Sequence, residues 1–276
     1  MDSKLQEILI RAKKDVFGTN TGDTLTKLKG DGLDFREIKE YEFGDDVKKI
    51  NWKATAKTGA TKVNLFNIER ELNILLVFLA NGSMHFGTVR FKQELATEVM
   101  ATLAYSSVKN SNRLSSLLFS NREDTFIPPS KSISTVYRVA ESVYKSNTLH
   151  KQLDYEKLCD YINSTRKERS LIFLVGDFYG NIDLSSIAYR HELYALIIRD
   201  RFEENPEISG EFTFVSPVDF SHTDAIMNKQ SAKEYARLLQ KHDSELMEHF
   251  SKHNISSGKI YTDDDIYLRL KEILKG

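Results

Sequence analysis

The sequence predicts an α/β domain built on an open, mostly parallel sheet with helices on both faces. Residues 74–79, 171–175 and 193–198 are continuous apolar runs, and such runs are typical of strands that are covered on both faces. The stretches between them carry apolar residues three and four positions apart, which indicates amphipathic helices. Strands that alternate with helices favour parallel pairing through right-handed crossovers.

Local periodicity and turn-forming residues define the individual elements. In the first helix the apolar residues fall on one face: Leu5, Ile8, Leu9, Ala12 and Val16. We expect Pro128 and Pro129 to break the chain, because proline has no backbone N–H to donate. In chain order, the predicted elements are helix 5–17, edge strand 63–65, strand 74–79, helix 89–109, strand 114–119, helices 135–144 and 155–162, strands 171–175 and 193–198, a strand around Phe212 and Phe214, helix 232–250, strand 259–261 and helix 263–274.

Length and composition exclude several classes of protein. The 276 residues fit one α/β domain with an additional segment. The formal net charge of -1 provides no overall field that would attract nucleic acid or anionic lipid. The single cysteine, Cys159, excludes an internal disulfide and indicates a reducing compartment, and we expect it to be a buried, unreactive thiol. Because no apolar run approaches the roughly 20 residues of a membrane span, we expect a cytoplasmic protein without membrane insertion.

Residues 30–59 are the most unusual stretch of the chain. Glycines recur through it, an acidic turn at Asp45 and Asp46 is followed by a lysine-rich run, and the only tryptophan, Trp52, lies among those lysines. Aromatic residues within such a charged segment indicate that it packs against something, either the sheet or a partner protein.

This stretch resembles the signature of the bacterial "domain of unknown function 58" family. The matching residues are Gly30, Gly32, Phe35, Lys39, Glu40, Tyr41, Gly44, Asp45, Asp46, Lys49, Ile50, Asn51, Trp52, Lys53, Thr55, Ala56 and Lys57. The resemblance implies a von Willebrand factor type A-like α/β domain, often working beside a MoxR-type AAA+ ATPase, and no established activity. It divides the chain into residues 1–68, an N-terminal helix and family-specific segment packed on the main domain, and residues 69–276, the type A-like domain.

The resemblance also implies where a metal ion would bind. The type A fold places Mg²⁺ in loops at the strand ends, with D-x-S-x-S after the first strand and an aspartate after a later one. Here Leu79 takes the place of the first aspartate and Asn81 that of the first serine, whereas Ser83 keeps its type and Asp177 is the later aspartate. Because leucine cannot ligate a metal, we expect a degenerate site at Ser83, Asn81 and Asp177 and no cofactor. Mg²⁺ binding is the alternative.

We therefore predict a non-enzymatic adaptor or partner of a MoxR-type AAA+ ATPase that acts in complex assembly or maturation. The predicted partner-binding residues are Arg36, Tyr41, Asp45, Asp46, Trp52 and Lys53. A second interpretation is that Trp52 and Tyr41 pin the segment to the sheet. Two alternative functions remain: a metal-dependent hydrolase that uses Asp177, Ser83, Asp45 and Asp46, and a nucleic-acid-binding module in which lysines hold phosphates while Trp52 stacks on bases. The acidic residues upstream of the lysines argue against the nucleic-acid interpretation.

Overall fold

The computed structural model describes residues 2–18, 25, 28, 35–66, 71–206 and 208–275, with residues 35–37, 65 and 66 described by their backbone alone. The strands are β1 (Phe35–Glu40), β2 (Lys62–Phe66), β3 (Asn73–Leu79), β4 (Arg113–Phe119), β5 (Glu123–Ser130), β6 (Leu171–Gly176), β7 (Glu192–Arg199), β8 (Gly210–Val215), β9 (His222–Met227) and β10 (Ser256–Tyr261). The helices are α1 (Ser3–Gly18), α2 (Trp52–Thr58), α3 (Lys92–Lys109), α4 (Ile133–Tyr144), α5 (Tyr155–Thr165), α6 (Ser185–Ala188), α7 (Arg201–Glu204), α8 (Lys229–Lys252) and α9 (Ile266–Ile273).

The central sheet has six strands in the order β10-β7-β6-β3-β4-β5. β3 pairs in parallel with β4 on one side and β6 on the other, and the parallel pairing continues through β7 to β10. β5 is antiparallel to β4 and forms one edge. The mostly parallel α/β sheet predicted from the sequence is therefore confirmed.

Apolar side chains fill both faces of the sheet, which explains why the strand sequences are continuously hydrophobic. Along β3, Leu76 and Phe78 belong to a core layer with α1, α3, α4 and α9, whereas Leu75 and Val77 belong to a second layer with α5, α6 and α8. Successive strand residues point to opposite faces, so each strand supplies both layers. The first helix joins the first layer through the face that its periodicity predicts, with Leu5, Ile8, Leu9, Ala12 and Val16 buried.

Two regions correct the sequence-based prediction. Pro128 and Pro129 do not end an element; they lie within β5, where the register shifts between the pairs Ser116–Ile127 and Leu114–Ser130. An edge strand tolerates proline because one side of it has no ladder to complete. The second region is a separate antiparallel hairpin of β8 and β9, of which only β8 was expected. The β9 sequence, HTDAIM, is mostly solvent-exposed and lacks a hydrophobic pattern.

Among the described residues, none of the helices combines the length and apolar character required to cross a bilayer. The longest, α8, is amphipathic and buries Leu239, Leu246 and Phe250 along one side. The position of the domain division near residue 68 stays a prediction.

Candidate functional site

The candidate site lies between β3 and β6, where the connections that follow the two strands run to opposite sides of the sheet. We call this position the switch point. From β3 the chain passes through α3 to β4, whereas β6 leads to β7 on the other side. A crevice opens at such a switch point, beyond the carboxyl ends of the two strands. The loop 80–91 follows β3, and Asp177 directly follows β6.

Ser83 and Asp177, both predicted as site residues, meet at this point. The Ser83 hydroxyl donates a hydrogen bond to Oδ2 of Asp177. That carboxylate is 1% exposed, and its other oxygen has no hydrogen-bond partner among the described residues. Asn81 lines a neighbouring cavity of about 940 Å³ together with Tyr179 and Asn121. Leu79 is fully buried in the second core layer.

A buried lysine, which the sequence analysis missed, completes the site. Lys92 is the first residue of α3, and its side chain is fully buried. Its Nζ lies 3.5 Å from Oδ2 of Asp177 and 2.6 Å from Oε1 of Glu203. The second oxygen of Glu203 accepts the Asp200 N–H at 2.9 Å. The lysine thus joins the end of β6 to the capping box that starts α7.

A second buried cation contacts the backbone of Asp177. Arg199, the last residue of β7, is fully buried; it donates to the backbone carbonyl of Asp177 and, at 3.0 Å, to Oδ1 of Asp243 on α8. The ring of Tyr179 lies 4.2 Å from its guanidinium carbon. Burial raises the pKa of the Tyr179 hydroxyl, so that group stays neutral. A stacked, paired guanidinium is a typical way to keep arginine in a protein interior.

Asp243 connects this arginine to the edge strand. Its Oδ2 lies 2.7 Å from Nζ of Lys259 on β10, and Lys259 also pairs with Glu204. Burial acts to raise the pKa of Asp243, but the hydrogen bond from Lys259 and the charge and hydrogen bond of Arg199 outweigh it and lower the pKa below its ordinary value. The polar groups at the switch point are therefore linked to a groove of about 1320 Å³ that α8 and β10 line.

The far end of loop 80–91 is held by Asp200. This carboxylate accepts the Thr88 N–H at 2.8 Å and the hydroxyl of Thr262 at 2.7 Å. Burial acts to raise the pKa of Asp200, and these hydrogen bonds lower it on balance. Arg90 adds a further contact, because its Nε donates to the Thr262 carbonyl at 2.9 Å. Hydrogen bonds within the protein thus fix both ends of the loop.

The predicted partner-binding residues lie elsewhere, in the hairpin of β1 and β2 and the short elements between these strands. The Arg36 side chain lies outside the described residues, and Tyr41 is half-buried. Oδ2 of Asp45 accepts the Glu42 N–H at 2.8 Å and lies 3.0 Å from Nζ of Lys39. These two contacts hold the pKa of Asp45 below its ordinary value.

Other signature residues also bond within this segment. Asp46 caps a 3-10 turn by accepting the Lys48 N–H at 3.0 Å. Asn51 caps α2 by accepting the Ala54 N–H at 2.9 Å, and Gly59 ends that helix at a φ of 71°. Within the described chain, both Asp45 and Asp46 bond to residues 39–48 and not to Ser83 or Asp177. The four residues of the hydrolase alternative are therefore not brought together.

The side chains of Trp52 and Lys53, in contrast, face the solvent. Trp52 exposes 71% of its surface, Lys53 is exposed, and Phe43 in the same segment is fully exposed. This exposure does not fit the interpretation in which Trp52 pins the segment to the sheet, because a pinning side chain is covered by the surface that it holds.

Other potential sites give weaker chemistry. Across the part of the chain that the structure describes, no group of three or more histidine, cysteine, aspartate or glutamate residues could hold a metal ion. Cys159 is buried, and burial raises the pKa of its thiol to about 11. It is therefore protonated at neutral pH, as expected of an unreactive cysteine.

The sequence around Lys92 and Arg199 contains few signals that these residues belong to the site. Lys92 pairs with a residue 111 positions away and Arg199 with one 44 positions away. No sequence periodicity reveals such pairs. One signal was available for Arg199, because a charged residue directly follows the apolar run 193–198 of a buried strand. Charged side chains in that environment are almost always paired.

Comparisons with known proteins give a family but no activity. Two relatives, the uncharacterized proteins Mb1516 of Mycobacterium bovis and Rv1480 of Mycobacterium tuberculosis, are each 26% identical over 212 residues, covering 74% of this chain and 67% of theirs. Among solved structures, the conserved hypothetical protein BatB from Bacteroides thetaiotaomicron aligns with a TM-score of 0.45 at 9% identity, covering 74% of this chain and 97% of that one. An aerotolerance-related membrane protein from Bacteroides fragilis aligns with a TM-score of 0.46 at 12% identity and the same coverage.

A family model described as "Protein of unknown function DUF58" matches residues 37–245. This range contains most of the signature segment and the site at the switch point, and it confirms the family that the signature indicates. The chain therefore belongs to the DUF58 family of proteins of unknown function.

Proposed function

We propose that this protein is a non-enzymatic interaction module whose signature segment binds a partner protein through Trp52. One observation carries the proposal. Polar signature residues such as Asp45, Asp46 and Asn51 form hydrogen bonds within the segment. In contrast, the single tryptophan exposes 71% of its surface and has the exposed Lys53 next to it. Removing the apolar surface of a tryptophan from water is favourable, and tryptophan is enriched among the residues that dominate binding energy at interfaces.

The partner that we propose is a MoxR-type AAA+ ATPase, for which the protein acts as an adaptor in complex assembly or maturation. The family resemblance motivates this choice. We further propose that the sheet is of the von Willebrand factor type A class. The strand order with one antiparallel edge strand supports that assignment, as does the pairing of Ser83 with Asp177 at the switch point. A cytoplasmic location stays part of the proposal.

We also propose that the protein catalyses no reaction. The support for this is chemical: most polar groups at the switch point are paired with one another, and Oδ1 of Asp177, which has no hydrogen-bond partner among the described residues, is buried. Asp177 accepts from Ser83 and faces Lys92, and Arg199 is held by Asp243. A general base or nucleophile needs a free group within reach of a substrate.

The binding proposal is tested with the purified chain and the MoxR-type AAA+ ATPase of the same bacterium. Calorimetry gives the dissociation constant for the unaltered protein, for Trp52→Ala and for a matched control, Tyr189→Ala. Tyr189 is an aromatic residue that is 93% exposed and lies outside the signature segment. We expect Trp52→Ala to weaken binding at least about thirtyfold, since a hot-spot residue contributes about 2 kcal/mol or more. The control variant should bind normally.

Two results would contradict the proposal. If the unaltered chain does not bind the ATPase, the choice of partner is wrong. If it binds and Trp52→Ala binds equally well, the signature segment does not make the contact through its tryptophan.

A further inference from the structure

The switch point does not offer the ligands that a divalent cation requires. Mg²⁺ in proteins takes oxygen ligands at about 2.0–2.1 Å in near-octahedral geometry. Here Ser83 and Asp177 meet, but Leu79 lies in the second core layer and Asn81 lines the neighbouring cavity. The residues that correspond to a type A metal site therefore do not fit the ion.

A positive charge is nevertheless present beside the same carboxylate oxygen. Oδ2 of Asp177 accepts the Ser83 hydroxyl and lies 3.5 Å from Nζ of Lys92. The lysine side chain is fully buried, and its second partner is Glu203 at 2.6 Å. A buried ammonium group persists only where opposite charges compensate for its lost hydration. Lys92 has two such partners, so its position is built into the fold.

We propose that the ammonium group of Lys92 takes the place of a divalent cation in this protein. It supplies the positive charge that the buried carboxylate after β6 requires, and it ties the start of α3 to β6 and α7. A divalent ion on Oδ2 of Asp177 would lie within about 6 Å of the ammonium nitrogen, where the two cations repel each other. The site is therefore assembled permanently and does not respond to Mg²⁺ or Mn²⁺.

The rest of the loop is held in a way that agrees with this proposal. Thr88 and Thr262 both donate to the buried carboxylate of Asp200, at 2.8 and 2.7 Å. Arg90 donates to the Thr262 carbonyl at 2.9 Å. Hydrogen bonds from protein groups thus hold loop 80–91 at Ser83, Thr88 and Arg90. The proposal is independent of the proposed partner, because it concerns a different part of the chain.

Thermal unfolding of the full chain with and without Mn²⁺ tests the proposal. The unaltered protein should have the same Tm in Mn²⁺ as in a chelator. Lys92→Met keeps the length and apolar stem of the side chain but leaves the buried carboxylate of Asp177 and the partly buried carboxylate of Glu203 uncompensated, so its Tm should fall by on the order of 10 °C. Mn²⁺ should restore part of that loss, since Asp177, Glu203 and Ser83 then offer free oxygens. In the double variant Lys92→Met, Asp177→Asn, Mn²⁺ should have no effect.

A direct binding measurement keeps the test decisive if Lys92→Met does not fold. The electron paramagnetic resonance signal of free Mn²⁺ should be unchanged by the unaltered protein. Stoichiometric loss of that signal, abolished by Asp177→Asn, would overturn the proposal. A folded Lys92→Met variant with an unchanged Tm, or with a lowered Tm that does not respond to Mn²⁺, would also overturn it.

Discussion

Replacing Asp243 with alanine removes the acidic partner of the fully buried Arg199. Arg199 is fully buried, and its guanidinium lies 3.0 Å from Oδ1 of Asp243. Lys259, the other partner of Asp243, is 25% exposed and keeps its pair with Glu204 in the variant. The loss therefore comes mainly from the arginine, which is left as an unpaired charge in the interior.

The size of the effect follows from that burial. Breaking a buried ion pair by removing one partner costs about 3–5 kcal/mol. We expect the lower end of this range, about 3 kcal/mol, because the Tyr179 ring and the Asp177 carbonyl still contact the guanidinium. For a chain of this size each kcal/mol lowers Tm by roughly 2–4 °C, so Tm should fall by about 6–12 °C.

The same variant predicts a pH dependence. The folded-state pKa of Asp243 is lower than its ordinary value, because Lys259 and Arg199 outweigh the effect of burial. The carboxylate therefore contributes stability above the unfolded-state pKa of about 3.9, and this contribution is lost as the pH falls further, through the folded-state pKa. The difference in Tm between the unaltered protein and Asp243→Ala should be constant near neutral pH and should shrink below about pH 4.

Urea unfolding followed by circular dichroism gives the free energies of unfolding. Glu234→Ala is the matched control on the same helix: it removes a carboxylate from an exposed ion pair with Arg237, and we expect no resolvable change. A loss of less than about 1 kcal/mol for Asp243→Ala would refute the reasoning, because a change of that size is typical of an ordinary substitution.

Two further predictions concern packing and reactivity. Gly176→Ala places a Cβ 2.6 Å from Cβ of Leu79, so it should cost about 1–3 kcal/mol by urea unfolding. Gly18→Ala, whose Cβ meets no atom of the described residues closer than 3.9 Å, is the control, and equal losses in both variants would contradict this account of the β3–β6 contact. Because the pKa of the buried Cys159 thiol is about 11, a thiol reagent at pH 8 should label the folded protein far more slowly than the urea-unfolded chain, and equally fast labelling would show that the thiol is accessible.

The sequence was sufficient to predict the layers of the fold because burial on both faces imposes a continuous pattern. Residues 74–79, 171–175 and 193–198 each lie within a central strand, and α1 buries the five residues expected. The family signature could also be recognised from the sequence, because its matching residues lie close together within residues 30–59. Its caps, such as Asp46 and Asn51, act within a few residues of their own positions.

Elements without a burial pattern could not be predicted. The strand β5 contains two prolines and pairs on one side only, and β9 is mostly exposed. The charged side chains at the switch point were missed for a different reason. Their partners are distant in sequence, as for Lys92 with Glu203, and only the folded chain brings them together. The metal-site alignment identified Ser83 and Asp177 but gave no indication of the lysine beside them.

The exposed tryptophan of the signature segment can be observed directly, because it is the only tryptophan in the chain. Incorporation of 5-fluorotryptophan gives one ¹⁹F resonance, at position 52. Titration with the unlabelled MoxR-type AAA+ ATPase should shift or broaden that resonance to saturation, as the ring passes from water into the interface. An unchanged resonance at ATPase concentrations that saturate binding by calorimetry would contradict a partner contact through Trp52.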